Sequence, residues 1–193
     1  MMIKIGPYSF GDFVHQVEKF HGFPAPGVVL GGVMVDLVVK HLPPRILYDA
    51  ICETDKCLPD AIQLLTPCTI GNSWLEIKPW GRFALALFDK RSGNGIRVCL
   101  DAARLEEWPE IKTWYYKLKS KEETDRARLL DAIQKSGYEI CRLQDIRVHP
   151  DRLIKKTRGK RVRCPQCGEF FPTNETGICA ACQGESRSVY LTK

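Results

Sequence analysis

The sequence predicts an α+β fold, in which helices pack on a mixed or antiparallel sheet and a small C-terminal four-cysteine zinc finger follows. The first 41 residues contain two helical patterns, residues 46–100 contain short alternating segments separated by Gly and Pro, and two Cys-x-x-Cys pairs lie near the C-terminus. We therefore predict an α+β domain over residues 1–150, a basic linker over 151–163, and a zinc finger of treble-clef or ribbon type over 164–193.

The N-terminal region predicts two helices. Ser9 opens a pattern that resembles a capping box, and apolar residues then recur at helical spacing to about His21. Residues 27–41 are apolar nearly all round, which predicts a buried second helix. The Gly31-Gly32 pair weakens this helix locally but allows another chain segment to come close.

The sheet signals begin at residue 46. Ser92-Gly93-Asn94-Gly95 favours a tight hairpin, and Pro59 suits the first turn of a short helix. The economical arrangement is a mixed or antiparallel sheet with helices on one face. The predicted elements after the second helix are strands at 46–52, 74–77, 83–88, 96–100 and 138–148, a short helix at 59–65, and helices at 105–120 and 122–136.

The positive charge is concentrated in one segment. The chain carries 29 basic and 23 acidic residues, but seven of the basic residues and no acidic one lie in residues 152–163, which leaves 22 basic residues elsewhere. This segment is either a docking surface for nucleic acid or an acidic partner, or a solvated connector. It lacks interleaved aromatic residues for base stacking, which favours the connector.

Nothing in the sequence predicts secretion or a membrane span. The N-terminal stretch lacks the basic start, apolar middle and cleavage site of a secretory leader. The most apolar segment, residues 28–39, is shorter than the roughly 20 residues that a bilayer requires. We therefore expect a cytoplasmic protein, in which nine cysteines indicate metal or thiol chemistry rather than disulfides.

The two Cys-x-x-Cys pairs predict a structural zinc site. Four thiolates complete a tetrahedral zinc ion and leave no open position for water, so this metal would stabilise the fold and not catalyse a reaction. A module this short depends on its metal for folding. The predicted ligands are Cys164, Cys167, Cys179 and Cys182.

A second group of candidate site residues surrounds the predicted short helix. His21 lies beside a Gly/Pro turn, Cys57 precedes the helix, whose N-terminus favours a thiolate, and Cys68 follows the helix. These residues could bind a second metal, form a thiol redox pair or act as a Cys/His nucleophile. Alternatively they are a helix-terminal histidine and ordinary buried cysteines, which is also the role we assign to Cys52 in its predicted strand.

Several short motifs follow one another between residues 10 and 148. They are Phe20-His21-Gly22, Pro26-Gly27, Glu53-Thr54, Cys57, Asp60-Ala61-Ile62-Gln63, Cys68-Thr69-Ile70-Gly71-Asn72, Gly81-Arg82-Phe83-Ala84 and Ser92-Gly93-Asn94-Gly95-Ile96-Arg97-Val98. In this order they resemble the FmdE-like family, which comprises the E-type subunits of formylmethanofuran dehydrogenase and their relatives. Some members of that family carry a C-terminal zinc finger.

The resemblance implies a compact α+β domain, often dimeric, with a metal or active-site cleft at the positions of His21 and Cys57 and with Cys68 as a further candidate. Phe23 stands where the family usually has a second histidine, and Pro67 stands where it commonly has glycine. The loss of an imidazole removes one candidate ligand from the second metal site.

The resemblance also implies association with molybdenum or tungsten enzymes that interconvert CO2 and formyl groups in anaerobes. Our first hypothesis is a homodimeric accessory or catalytic component of such a system, whose zinc module docks a partner subunit. The alternative is a zinc-dependent regulator or adaptor that binds nucleic acid or another protein. A stand-alone thiol oxidoreductase is disfavoured, because no Cys-x-x-Cys pair lies in the larger domain.

Overall fold

The computed structural model describes residues 3–120, 122–154 and 159–184. The chain divides into two units, residues 1–153 and 154–193. The larger unit starts with a short antiparallel hairpin of β1 (Lys4–Ile5) and β2 (Tyr8–Ser9). The sequence did not predict this hairpin, because two-residue strands are too short to show a periodic pattern.

The first predicted helix is confirmed as α1 (Phe10–His21). Ser9 caps it, because its Oγ accepts a hydrogen bond from the Asp12 N–H at 3.2 Å. Gly22 ends it in the left-handed region, with φ at 89°, which glycine adopts without steric cost. The helix therefore places His21 at its last position, next to the turn.

The second predicted helix is α2 (Pro26–His41), which lies at the centre of the larger unit. It packs against α1, α3 (Leu58–Leu65), β5 (Ala84–Asp89) and β6 (Asn94–Leu100). Its glycines allow this close packing, since a Cβ at Gly31 would lie 2.9 Å from Ala61 and one at Gly32 would lie 2.2 Å from the Phe13 ring.

The sheet has five strands in the order β4-β3-β5-β6-β7. β3 and β4 are parallel, and the remaining neighbours are antiparallel, so the sheet is mixed. The predicted α+β class is therefore confirmed. The three strands not yet given are β3 (Tyr48–Cys52), β4 (Leu75–Ile77) and β7 (Cys141–Arg147).

The region between β6 and β7 is less helical than predicted. In place of one helix over residues 105–120, a 3-10 turn (Arg104–Glu107) precedes α4 (Pro109–Tyr115). Pro109 lacks an N–H and is tolerated only in a first helical turn, so it separates the two segments. The next predicted helix, 122–136, is shortened to α5 (Arg126–Ser136), because Asp125 caps it by accepting a hydrogen bond from the Arg128 N–H.

The smaller unit contains one antiparallel pair, β8 (Arg161–Arg163) and β9 (Phe170–Pro172). β8 lies within the segment predicted as a basic linker, so the end of that segment is part of the zinc-finger fold. Three basic residues of the segment, Lys155, Lys156 and Arg158, lie outside the described residues. No helix in the described part of the chain is both long enough and apolar enough to cross a membrane.

Candidate functional site

Cys57 occupies a strained turn between β3 and α3. Its φ and ψ are 57° and −52°, and the Leu58 N–H donates to the Lys56 carbonyl oxygen at 2.5 Å. This is a γ-turn of the positive-φ type, which is rare and unfavourable for a residue with a side chain. Such strain persists only where the surrounding structure imposes it, and it is found disproportionately at functional sites.

The Cys57 side chain lines a cavity of about 200 Å³ in the larger unit. Phe23, Gly27, Trp114 and Arg126 contribute to its mainly apolar wall. Gly27 is required here, because a Cβ at this position would lie 2.9 Å from the Cys57 Sγ. The cavity therefore brings a half-buried thiol beside aromatic surface and one guanidinium group.

His21 lies at the same end of α3 as Cys57. Its Nδ1 lies 2.6 Å from Oδ2 of Asp60, a residue in the first turn of α3. The carboxylate accepts from Nδ1–H, which fixes the ring and leaves Nε2 available as a base or ligand. The His21 ring centroid is 4.9 Å from that of Phe23, a residue of the cavity wall.

Cys68 has a different environment from Cys57. It is fully buried, its thiol donates to the Tyr48 carbonyl oxygen at 3.5 Å, and it is not among the residues of the Cys57 cavity. Burial raises the pKa of Cys68 to about 11. The structure therefore gives Cys68 the properties of a core residue and not those of a nucleophile.

The predicted second metal site does not assemble from His21, Cys57 and Cys68. Among the described residues, the one group of at least three His, Cys, Asp or Glu ligand atoms within 4.8 Å of one another is the C-terminal cysteine set. His21 also uses its Nδ1 to bond Asp60. The donor geometry thus fits a thiol and an oriented imidazole better than a three-ligand metal centre.

The C-terminal cysteines do assemble into a metal-binding geometry. The four Sγ atoms lie within 4.8 Å of one another, and those of Cys167 and Cys179 are 3.7 Å apart. Gly168, with φ at 78°, allows the tight turn in which its N–H donates to the Cys164 carbonyl oxygen. Four thiolates are the donor set of structural zinc, which these residues would hold with no open position. The site residues are Cys164, Cys167, Cys179 and Cys182.

Three features of the larger site were not predicted from the sequence. Asp60 was visible beside Cys57, but its pairing with His21 across 39 positions depends on the packing of α1 against α3. Trp114 and Arg126 reach the cavity from α4 and α5. The only local signal for the strained turn was a helix start directly after a cysteine.

This combination of a mixed α+β domain and a four-cysteine finger defines a class of metal-binding proteins, and comparison with known proteins gives the family. Residues 20–148 match the family described as "FmdE, Molybdenum formylmethanofuran dehydrogenase operon", and residues 155–188 match the "FmdE treble clef zinc finger". The chain belongs to the FmdE family. The predicted family and the predicted finger are both confirmed.

A solved structure with high similarity is that of a tungsten formylmethanofuran dehydrogenase FmdE-like protein from Syntrophus aciditrophicus. It is 49% identical in sequence, has a TM-score of 0.90, and the match covers 99% of this chain and 100% of that one.

Two curated relatives are more distant. A probable S-adenosyl-L-methionine-binding protein from Archaeoglobus fulgidus is 26% identical over 198 residues, covering 90% of this chain and 53% of that protein. An adenylate kinase from Finegoldia magna is 41% identical over 64 residues, covering 30% of this chain and 29% of that protein. The chain thus spans about half or less of the length of these relatives.

Proposed function

We propose that this protein is an accessory component of a molybdenum or tungsten enzyme system that interconverts CO2 and formyl groups, and that Cys57 is its reactive thiol. The observation that carries the proposal is the strained Cys57 turn in a cavity, at the end of α3 whose first turn also carries Asp60, the hydrogen-bond partner of His21. The family description and the name of the similar Syntrophus aciditrophicus protein support the link to formyl chemistry.

The arrangement suits transfer of a formyl group from nitrogen to sulfur. The N-terminus of α3 favours the Cys57 thiolate, which would attack the carbonyl carbon of an N-formyl donor. The C–S bond forms and the C–N bond breaks, while His21 Nε2 takes the proton of the Cys57 thiol and passes it to the departing nitrogen. The products are an S-formyl thioester and a free amine, and the reverse sequence returns the formyl group.

The zinc finger would serve assembly in this proposal. A four-thiolate metal site has no position for substrate, so the finger contributes a surface and not a catalytic centre. We propose that this surface docks a component of the molybdenum or tungsten enzyme and that the protein is a cytoplasmic homodimer. One of the basic residues beside the finger already has a structural role, because the Arg163 Nε donates to the Gly168 carbonyl oxygen at 3.0 Å.

Affinity purification from the native organism tests the proposal. We expect the tagged full-length chain to recover components of a molybdenum or tungsten formyl or formate dehydrogenase, and we expect Cys57→Ser to retain them while lowering formyl turnover. Lys160 and Arg161 to Gln substitutions are the charge control for the alternative, an adaptor that binds nucleic acid. Recovery of nucleic acid alone, lost at high salt and in this control, would contradict the proposal.

A further inference from the structure

A second cavity lies on the face of the sheet that is not part of the core. It measures about 590 Å³, within the range of small-molecule sites. Three arginines line it, Arg82, Arg97 and Arg142, and its described lining residues include no Asp or Glu. Its lining shares no residue with that of the Cys57 cavity.

The strand register brings Arg97 and Arg142 to one surface, and Arg82 joins them through a shared ion pair with Glu53. Cys99 of β6 is the direct neighbour of Arg142 of β7, and Arg97 is the direct neighbour of Gln144. Cross-strand neighbours point to the same face, and so do alternate residues along a strand. The opposite face of β6 carries Val98, which belongs to the core. Arg97 and Arg142 therefore lie on the face of the sheet opposite the one that packs on the hydrophobic core.

A buried carboxylate fixes two of the three guanidinium groups. Glu53, 4% exposed, accepts from Arg97 Nε at 2.7 Å and from its second terminal nitrogen at 2.8 Å. It also accepts from Arg82 Nε at 2.7 Å. Two cations bound to one carboxylate hold their positions before a ligand arrives, which lowers the entropic cost of binding.

Most hydrogen-bond donors of Arg82 and Arg142 remain available for a ligand. Each guanidinium has five N–H donors. The ion pair with Glu53 engages the Nε of Arg82, and Arg142 donates to the Cys99 Sγ at 3.8 Å. Within the described part of the chain, no carboxylate lies within ion-pairing distance of Arg142. The cavity therefore holds an excess of two positive charges over the single carboxylate of Glu53.

Charge and shape together point to a phosphate ester. A phosphate monoester carries about −1.5 to −2 charges at pH 7, which matches this excess, whereas one carboxylate leaves a cation unneutralised. The cavity exceeds the size of a free phosphate, and Phe83 and Tyr115, with ring centroids 6.3 Å apart, add aromatic surface. We infer that this cavity binds a phosphate monoester attached to a flat ring, with Arg82 and Arg142 holding the phosphate.

Calorimetric titration of the full-length, zinc-loaded protein tests the inference. The probes are AMP and FMN, each compared with its phosphate-free counterpart, adenosine or riboflavin, and with inorganic phosphate. We expect one of the two esters to bind at least about tenfold more tightly than its counterpart and than inorganic phosphate. Arg142→Gln and Arg82→Gln should each weaken that binding about tenfold or more.

Arg147→Gln is the matched control, since it removes the same charge from β7 at a position outside the cavity lining. It should bind the ester as the wild type does, and circular dichroism should show all variants folded. Failure of both esters to bind, or equal binding by Arg142→Gln, overturns the inference. If Arg142→Gln instead converts a dimer into a monomer and no ester binds, the surface is an interface between two copies.

Discussion

Cys57 differs from the other cysteines of the larger unit in both exposure and backbone conformation. Cys52, Cys68, Cys99 and Cys141 are buried, whereas Cys57 is half-buried and has a positive φ. Burial raises the pKa of Cys52 and Cys68 to about 11, so these thiols stay protonated at neutral pH. Residue type and spacing left both Cys57 and Cys68 as candidate site residues, and the structure separates them.

Cys141 gives a pH prediction at the residue scale. Burial raises its pKa from 9.0 to about 12. The unfolded thiol loses its proton near pH 9, whereas the folded thiol retains it. The contribution of the Cys141 thiol to the free energy of unfolding is therefore complete below pH 9 and is lost as the pH rises towards 12. We expect the free energy of unfolding to fall more steeply above pH 9 in the wild type than in Cys141→Ala, by about 1 kcal/mol per pH unit. Urea denaturation at several pH values measures the slopes, and equal slopes would refute the assignment.

Glu53 gives a stability prediction. Its hydrogen bonds from Arg97 lower its pKa, and its carboxylate is almost fully buried. Glu53→Ala leaves Arg97, whose side chain is only 17% exposed, without its carboxylate. We expect a loss of about 3 kcal/mol in the free energy of unfolding. The control is Glu106→Ala, which breaks the more exposed pair with Lys112 and should cost under about 1 kcal/mol. Similar losses in the two variants would contradict this prediction.

At the element scale, the sequence predicted the helices and strands that have a clear apolar period. α1, α2 and the five-stranded sheet are as expected in type and order, because burial on one face or on all sides leaves a regular pattern. The error at residues 105–120 has a local cause, since Pro109 interrupts an otherwise helical pattern. The parallel pairing of β3 with β4 joins segments that are more than 20 residues apart in the sequence, and no local pattern specifies it.

The glycines of α2 give a prediction for this packing. Gly32→Ala would bring a Cβ within 2.2 Å of the Phe13 ring and force α1 and α2 apart. We expect a loss of about 1–3 kcal/mol in the free energy of unfolding. In α1, a Cβ at Gly11 would meet no neighbouring side chain within 4 Å among the described residues, so Gly11→Ala should be neutral or stabilising by up to about 1 kcal/mol. Thermal and urea unfolding compare the two, and equal effects would contradict close packing at Gly32.

At the scale of the whole molecule, the chain combines one domain stabilised by an apolar core with one finger that depends on four thiolates. The metal ligands could be predicted from the sequence because their spacing is local. The His21–Asp60 pair and the arginine cavity could not be, because each joins residues from separate elements. Sequence analysis therefore predicted the structural metal site better than either cavity.

Loss of one finger ligand tests this division into two units. We expect Cys164→Ser to release zinc and to unfold residues 159–184, while the larger unit keeps its thermal unfolding midpoint. A zinc-specific dye measures the metal, and hydrogen exchange reports on each unit separately. Cys99→Ser is the control, since this cysteine lies outside the four-thiolate group. Full retention of zinc by Cys164→Ser would contradict the assignment of ligands.

The most direct test of the Cys57 site is the rate at which each thiol reacts with iodoacetamide in the folded, zinc-loaded protein. Peptide mass spectrometry at pH 8 compares Cys57 with Cys68, whose pKa of about 11 makes it the internal control. We expect Cys57 to react at least about tenfold faster, and we expect His21→Gln and Asp60→Asn to slow Cys57 without changing Cys68. Equal rates for the two cysteines, or a Cys57 rate that is insensitive to both substitutions, would contradict the proposed thiol site.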